Sequence, residues 1–451
     1  MSKRVCVIGG GISGLCVAYG LQKAGVDVIL FESGTSVGGN IKTEIRNGFL
    51  FEHGPNSTLA SRELLDLIDD LGLSEEIALP NPNSKKRYIV RDGKLLVLPS
   101  GLFGLVGSRA FSGSAKLRLL KEPFIRTKAA EQESVAAFFE RRLGREIVHY
   151  AVDPFISGIY AGDPQKLSIR HAFPHLYELE KNFGSIMQGA IFGPKNKTSR
   201  VPKETPKSLT FRNGMQTLSD ALAKNLSGCI KLNSSVHDLR KTESGKIAVK
   251  TLSGVDLFDS VAICTPAHAA AHLIENLDAQ TSAELANIYY PPISVVFTAF
   301  ESKDVQTSPD GFGFLVPGIE QRRILGSLWT SSVFDNRAPD GYHLFTTFLG
   351  GSRNPELCSK PEGQLLEIVL DELDSILGIC GNPVFTFVKK WEKAIPQYNI
   401  GYDSVRRAID GFKKNYPEIY FCSNFYKGIS VGDCVKNALS TMTEISDFLK
   451  A

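Results

Sequence analysis

The chain has 451 residues, 43% of them apolar and 22% charged, with a net charge of +3. This balance excludes a disordered or fibrous protein, gives no argument for nucleic acid as a partner, and allows two or three domains at one per ~150 residues. No stretch reaches the ~18 apolar residues of a membrane span. Only Met1, Ser2 and Lys3 precede the first predicted strand, so no leader peptide is expected. The cysteines (Cys6, Cys16, Cys229, Cys264, Cys358, Cys380, Cys422 and Cys434) form no CxxC pair. Their spacing indicates neither zinc nor a dithiol centre, and reduced cytosolic thiols are expected.

Residues 4–8 read as a buried strand, 12–24 as a helix ended by Gly25, and 26–31 as a second buried strand with Glu32 at its tip: a βαβ unit. Residues 61–73 are predicted as an amphipathic helix and 86–98 as a hairpin turning at Asp92-Gly93. A mostly helical stretch follows from 99 to 190. In it Leu102, Phe103, Leu105 and Val106 alternate with glycines before Lys116, Arg118, Lys121, Arg126 and Lys128. Residues 194–212 read as a basic, proline-broken loop. The pattern then returns to α/β: a helix over 213–226, a strand over 229–236, a turn at Ser244-Gly245 and a buried strand at 261–264. Strands are predicted at 295–300, 314–316, 324–328, 344–348 and 419–422, and a final helix at 431–449.

The loop Gly9-Gly10-Gly11-Ile12-Ser13-Gly14 fits GxGxxG between strand and helix. Gly9 permits the tight turn, Gly11 the approach of a pyrophosphate, and Gly14 close packing of helix on strand; the helix N-terminus offers N–H groups to the anion. Glu32, eighteen positions past Gly14, suits a ribose, with Ser33 beside it. Gly38-Gly39-Asn40 directly follows, and His53-Gly54-Pro55-Asn56-Ser57 offers a second rigid approach. A long cofactor needs such a second backbone contact, which favours FAD over NAD.

At these spacings the motifs resemble the FAD-dependent amine-oxidase-like superfamily. Longer strings narrow the likeness: EHGPNS at 52–57, KRYIVRDGK at 86–94, DPFISGIYAGDPQKLSIRHAFP at 153–174, YYPPISVV at 289–296, GFGFLVP at 311–317, LFTTFLGGSRNPEL at 344–357 and KGISVGDCV at 427–435. Through them nearly the whole chain resembles the oxygen-dependent protoporphyrinogen IX oxidases, the plant mitochondrial type among them. The resemblance implies oxidation of protoporphyrinogen IX to protoporphyrin IX in three two-electron rounds, with FAD carrying the redox chemistry and dioxygen as final acceptor. A coproporphyrinogen III oxidase is the alternative substrate reading; a flavin-binding protein without catalysis is the alternative class.

The resemblance also assigns residues. Arg87 matches an arginine that pairs with a propionate, Leu315 and Leu328 a pair that sandwiches a pyrrole ring, and Phe348 an aromatic that stacks on another. Gly158 and Ala161 fall in a loop near the reacting bridge carbon, with alanine at 161 where many relatives have glycine, and Asn56 lies near both substrate and flavin. Val236 matches the residue holding the adenine, Trp391 lies by the flavin, and Ile429, Ser430 and Val431 open the last helix beneath it. Read without the family, Arg87 is a surface arginine and the three apolar residues are strand core. Asp153 and Asp163 each precede a proline and suit turns better than a general base. His149, His171 and His175 lack metal-ligand spacing, so no metal is expected. A coproporphyrinogen would need further cations; whether Lys85, Lys86 or Lys389 supplies one stays open.

The expected fold is α/β, mixed α+β overall. A Rossmann-like FAD domain comprises 1–60, 210–266 and 395–451, a β-rich substrate domain 61–98 and 267–394, and a helical membrane-binding domain 99–209. The resemblance further implies peripheral attachment at the cytoplasmic face of the cell membrane and a homodimer; handover to ferrochelatase is an expectation from the pathway and not from the residues.

Overall fold

The structure is a computed structural model that describes residues 3–99, 104, 107–128, 130–193 and 208–450. A five-stranded parallel sheet runs in the order Ile230–Lys231, Asp27–Phe31, Arg4–Ile8, Ser260–Ile263, Ile419–Phe421. Its central strands are continuous apolar runs such as Val5-Cys6-Val7-Ile8 and Val261-Ala262-Ile263, as burial on both faces demands. One face packs against the helices Ile12–Lys23, Gln216–Asn225 and Val431–Lys450 through Leu15, Leu218, Leu222, Val435 and Ala438. The other meets the helices Ala267–Ile274 and Tyr402–Asn415.

The second sheet has seven strands, in the order Phe385–Trp391, Ile293–Glu301, Tyr342–Gly350, Gly326–Leu328, Gly311–Leu315, Lys86–Arg91, Lys94–Val97. All neighbours are antiparallel except Gly311–Leu315 with Lys86–Arg91. The predicted hairpin turns where both Asp92 (φ 51°) and Gly93 (φ 71°) have positive φ, the geometry that suits strand twist in a two-residue loop. One face of this sheet buries Val90, Val296, Phe314, Val316, Phe345 and Leu349 against the helix Glu362–Leu377. Side chains alternate along a strand, so the other face carries Phe297, Val295, Leu344 and Phe385.

Between residues 107 and 193 the described chain is mainly helical. Arg142 and Glu180 are buried there and paired, and Glu122 accepts from the backbone N–H groups of Ile186 (3.0 Å) and Met187 (3.2 Å). These bonds supply the partners that buried charges require.

Several expectations change. Most of the predicted basic loop at 194–212 lies outside the described residues, as do Leu102, Phe103, Leu105 and Val106, but Ser208–Phe211 is a strand pairing with Thr58–Leu59 and Ile77–Ala78. Val236 begins a strand, Val236–Lys241, instead of ending one, because the chain turns at Asn233 (φ 52°) after only Ile230–Lys231 has paired. The stretch around Gly158 is no loop: Ile156–Tyr160 is a wide π-helical turn that continues a helical run from Arg145 and stops at Ala161. No helix among the described residues is long and apolar enough to cross a membrane.

Candidate active site

Gly9 makes the turn with φ 106°, and its N–H donates to the carbonyl of Phe31 (2.8 Å). A Cβ at Gly14 would overlap the Gly9 carbonyl oxygen, so this position sets the close contact of helix and turn. Nothing lies within 4 Å of where a Cβ on Gly11 would point. Helix 12–23 starts there without a side-chain cap or an acidic residue in its first turn. Its first N–H groups and positive dipole end are thus left for an anion.

Glu32 accepts from the N–H of Gly10 (2.6 Å) and of Gly34 (2.7 Å), and Ser33 leans on it at 3.3 Å. Oε1 takes two of these donors and Oε2 only the Gly10 N–H, so Oε2 keeps lone-pair capacity for a ribose hydroxyl. The N–H of Ser234 donates to the Glu32 carbonyl (2.8 Å), bringing the Val236 segment beside the ribose position.

The second glycine pair packs on the first. Gly38 donates to the Gly10 carbonyl (2.8 Å) and bridges Gly11. A Cβ on Gly39 would stand 3.2 Å from the Gly11 Cα, and one on Gly54 would overlap the carbonyl of Asn40. Three backbone segments (9–14, 38–40 and the one at Gly54) therefore pack closely together. Two buried oxygens there lack partners, Asn56 Oδ1 and Thr265 Oγ1, and Thr265 lies against Gly9. Unpaired buried polar atoms are rare, and these two fit a polar cofactor. Ser57 is engaged by the hydroxyl of Ser208 (3.3 Å). Pro55 continues the same segment.

The last helix points its N-terminus toward the first. Ser430 caps it, accepting from the Asp433 N–H (3.0 Å), while Asp433 accepts from the Ser430 N–H (3.3 Å) and hydroxyl (2.6 Å), a reciprocal capping box. Ile429 precedes the cap, Val431 opens the helix, and Cys434 in its first turn packs beside the first turn of helix 12–23. Two helix N-termini thus meet. Trp391 joins this side, its indole N–H donating to the His53 carbonyl (2.9 Å) just before Gly54.

The substrate candidates gather by strand alternation. Across the large sheet Lys389, Val295, Phe348, Gly326, Leu315 and Ile89 stand in one register row. Two residues along, Leu328, Gly313 and Arg87 form another. Arg87, Leu315, Leu328, Phe348 and Trp391 therefore share one face, opposite the helix-covered face. Phe348 and Leu328 pack together with Phe312, and the Arg87 guanidinium lies 4.3 Å from the centre of the Phe312 ring. Phe312 was not foreseen: strict alternation in GFGFLVP would send it to the helix-covered face with Phe314, but a break in register between Gly311 and Gly313 brings it to Arg87. Among the described residues no carboxylate pairs with Arg87, and partial burial pushes its pKa down. A desolvated cation without a counter-ion suits an incoming carboxylate.

Gly158 touches this face from the helical side: a Cβ there would overlap Leu315 Cδ2. Ala161 adopts φ 55°, ψ 19°, and its carbonyl accepts from the Ser352 N–H (2.7 Å). Arg353 anchors the same turn, donating to Asp153 (3.0 Å), Ser157 (2.7 Å) and the Val316 carbonyl (2.7 Å), and the Gly318 N–H donates to Asp153 (2.6 Å). Gln397, buried, donates to the Tyr160 carbonyl (2.7 Å). Arg353 and Gln397 were also missed, because their partners lie far away in sequence. Asp153 is an anchor here, and Asp163 holds its own turn through the Gln165 N–H (2.9 Å). Asn56 follows Gly54 and Pro55 in the cradle segment.

The model of the flavin-containing amine oxidoreductase family matches residues 12–445. Over its whole length the chain is 37% identical to protoporphyrinogen oxidase 2, chloroplastic/mitochondrial, of Arabidopsis thaliana, covering 95% of that protein. It is 27% identical to coproporphyrinogen III oxidase of Bacillus subtilis (strain 168), over 99% of this chain and 98% of that one. A solved structure from Exiguobacterium sp. 255-15 shares the fold over the full length of both chains, with a TM-score of 0.83 at 24% identity. The glycine cradle, the paired helix N-termini and these matches place the chain in the flavin-containing amine oxidoreductase family, in the group that holds the protoporphyrinogen oxidases.

Proposed function

We propose that the chain oxidises protoporphyrinogen IX to protoporphyrin IX in successive two-electron steps, with FAD as cofactor and dioxygen as final acceptor. The carrying observation is the single sheet face that presents Arg87, Leu315, Leu328 and Phe348 beside Trp391. When bound, FAD supplies the two-electron acceptor chemistry. The protein supplies orientation. Arg87 holds the carboxylate edge of the tetrapyrrole, and Leu315, Leu328 and Phe348 form an apolar wall for the macrocycle. The clamp of Arg353 and Gln397 fixes the Gly158–Ala161 turn against that wall. Asp153 and Asp163 are committed to structure, so pyrrole N–H protons leave to solvent. Aerobic turnover tests the reading: the purified chain should generate porphyrin fluorescence from protoporphyrinogen IX, and an enzyme with bound flavin but no turnover would refute it.

Coproporphyrinogen III is the second reading, favoured by one observation. Lys389 shares the row of Phe348, its ammonium 4.5 Å from the centre of the Trp391 ring, and no carboxylate among the described residues pairs with it. Lys86 is tied to Asp310 and is not available. Turnover of the two porphyrinogens side by side separates the readings.

The substrate is apolar, and the helical region offers a surface to match. Leu120, Phe124 (81% exposed) and Phe192 (74% exposed) project from adjoining elements, with Lys121, Arg126 and Lys128 close in sequence. Apolar anchors with basic neighbours favour the surface of an anionic leaflet, which supports peripheral attachment to the inner face of the cell membrane. Phe124→Glu with Phe192→Glu should abolish flotation with anionic liposomes; unchanged flotation, or none by the parent protein, would remove this placement.

A further inference from the structure

We propose that Cys264 and Cys422 form a peroxide-oxidisable dithiol beneath the dinucleotide loop. They are 158 residues apart in the chain, so spacing could not reveal them. The strands Ser260–Ile263 and Ile419–Phe421 are parallel neighbours with Ile263 opposite Phe421, and the Cys422 N–H donates to the Ile263 carbonyl (3.0 Å). The two cysteines follow directly at the carboxyl ends of these strands and stand side by side. Neighbouring strands lie ~4.8 Å apart, inside the ~4.4–6.8 Å Cα separation that a disulfide spans.

Both side chains lie in the same buried cluster, where the neighbouring Cys264 holds the Cys422 thiol below its ordinary pKa while Cys422 and burial raise that of Cys264. Side-by-side placement at the ends of neighbouring strands, with Cys422 the more acidic of the two, divides the roles of nucleophile and resolving thiol. The Cys422 thiolate attacks hydrogen peroxide: an S–O bond forms, the O–O bond breaks and hydroxide leaves. The Cys264 sulfur then attacks that sulfenic acid, an S–S bond forms, and the oxygen departs as water with the thiol proton. In sum, two thiols are oxidised, one peroxide is reduced, and two waters result.

The site lies next to the cofactor cradle. A Cβ on Gly9 would stand 3.1 Å from the Cys264 carbonyl carbon and oxygen, and one on Gly14 would stand 3.3 Å from the Cys264 Cβ. Drawing Cys264 toward Cys422 moves the floor under both glycines and weakens the hold on the flavin. Peroxide is what dioxygen becomes as a two-electron acceptor, so the source of oxidant rests on the function proposed above, whereas added peroxide tests the dithiol independently.

The flavin-loaded protein is treated with hydrogen peroxide, alkylated under denaturing conditions and digested. The expected result is loss of two titratable thiols per chain, a cross-linked 264–422 peptide, faster flavin release, and reversal of all three by dithiothreitol. Cys422→Ser and Cys264→Ser should lose the response, and Cys16→Ser should keep it. Should Cys264→Ser fail to hold flavin, Cys422→Ser alone decides. Both thiols surviving peroxide, or a cross-link to Cys16 or Cys434 instead, overturns the proposal. A cross-link from added peroxide but none during aerobic turnover supports the dithiol and counts against dioxygen as the acceptor.

Discussion

At the scale of single residues, charge and backbone angle make the sharpest demands. Arg87 has no carboxylate partner among the described residues and lies over Phe312. A charge-assisted hydrogen bond contributes about 1.5–3 kcal/mol, so Arg87→Ala should raise KM for protoporphyrinogen about 10- to 100-fold with a smaller change in kcat. Steady-state kinetics checks this, and an equal fall in both parameters would contradict a binding role. Ala161 sits at φ 55°, where an L-residue is strained by about 1–2 kcal/mol. Ala161→Gly should leave stability unchanged or raise it by up to ~1 kcal/mol in urea unfolding, because glycine's greater loss of freedom offsets part of the relief. Arg87 was legible only through the family likeness, since the lack of a counter-ion is a fact of space. The fit of glycine at 158 was invisible for the same reason: its constraint is Leu315, on a strand far away in sequence.

At the scale of elements, local grammar was readable and distant partnership was not. The βαβ unit could be read because every constraint acts within thirty residues: Gly9 for the turn, Gly14 for the contact, Glu32 for the strand end. The Asp92-Gly93 hairpin was readable for the same reason. The π-helical turn at Ile156–Tyr160 was not, because Arg353, Gln397 and Ser352 hold it from remote connecting segments. The capping box at Ser430 and Asp433 makes a testable claim about the last helix. Ser430→Ala should cost about 0.5–2 kcal/mol in unfolding free energy and weaken flavin retention, measured by released flavin fluorescence. A stability loss with fully retained flavin would detach this helix from the cofactor. Gly14→Val should purify without flavin, since its side chain would strike the Gly9 carbonyl.

At the scale of the whole molecule, two sheets bring a cofactor cradle to the edge of an apolar face, and a buried carboxylate ends the short strand Phe49–Glu52 that leads into the cradle segment at 53–57. Glu52, 1% exposed, accepts from the Met215 N–H (2.8 Å) and the Thr43 hydroxyl (2.7 Å), and burial pushes its pKa up to about 7. A carboxyl raised above its unfolded value of ~4.3 binds more protons folded than unfolded. Its favourable contribution is full below about pH 4 and falls away as pH rises to 7, at up to ~1.4 kcal/mol per pH unit. Glu52→Gln should therefore flatten the decline in stability between pH 5 and 7; a parallel decline in both proteins would assign the effect elsewhere.

The central claim is that this cradle and this face meet around a porphyrinogen. Anaerobic mixing of the flavin-loaded protein with protoporphyrinogen IX tests it most directly, through the oxidised flavin band (roughly 450 nm). The band should bleach at once, porphyrin should appear in step, and Arg87→Ala should need far more substrate for the same rate. A band that stays unbleached at saturating protoporphyrinogen would contradict it.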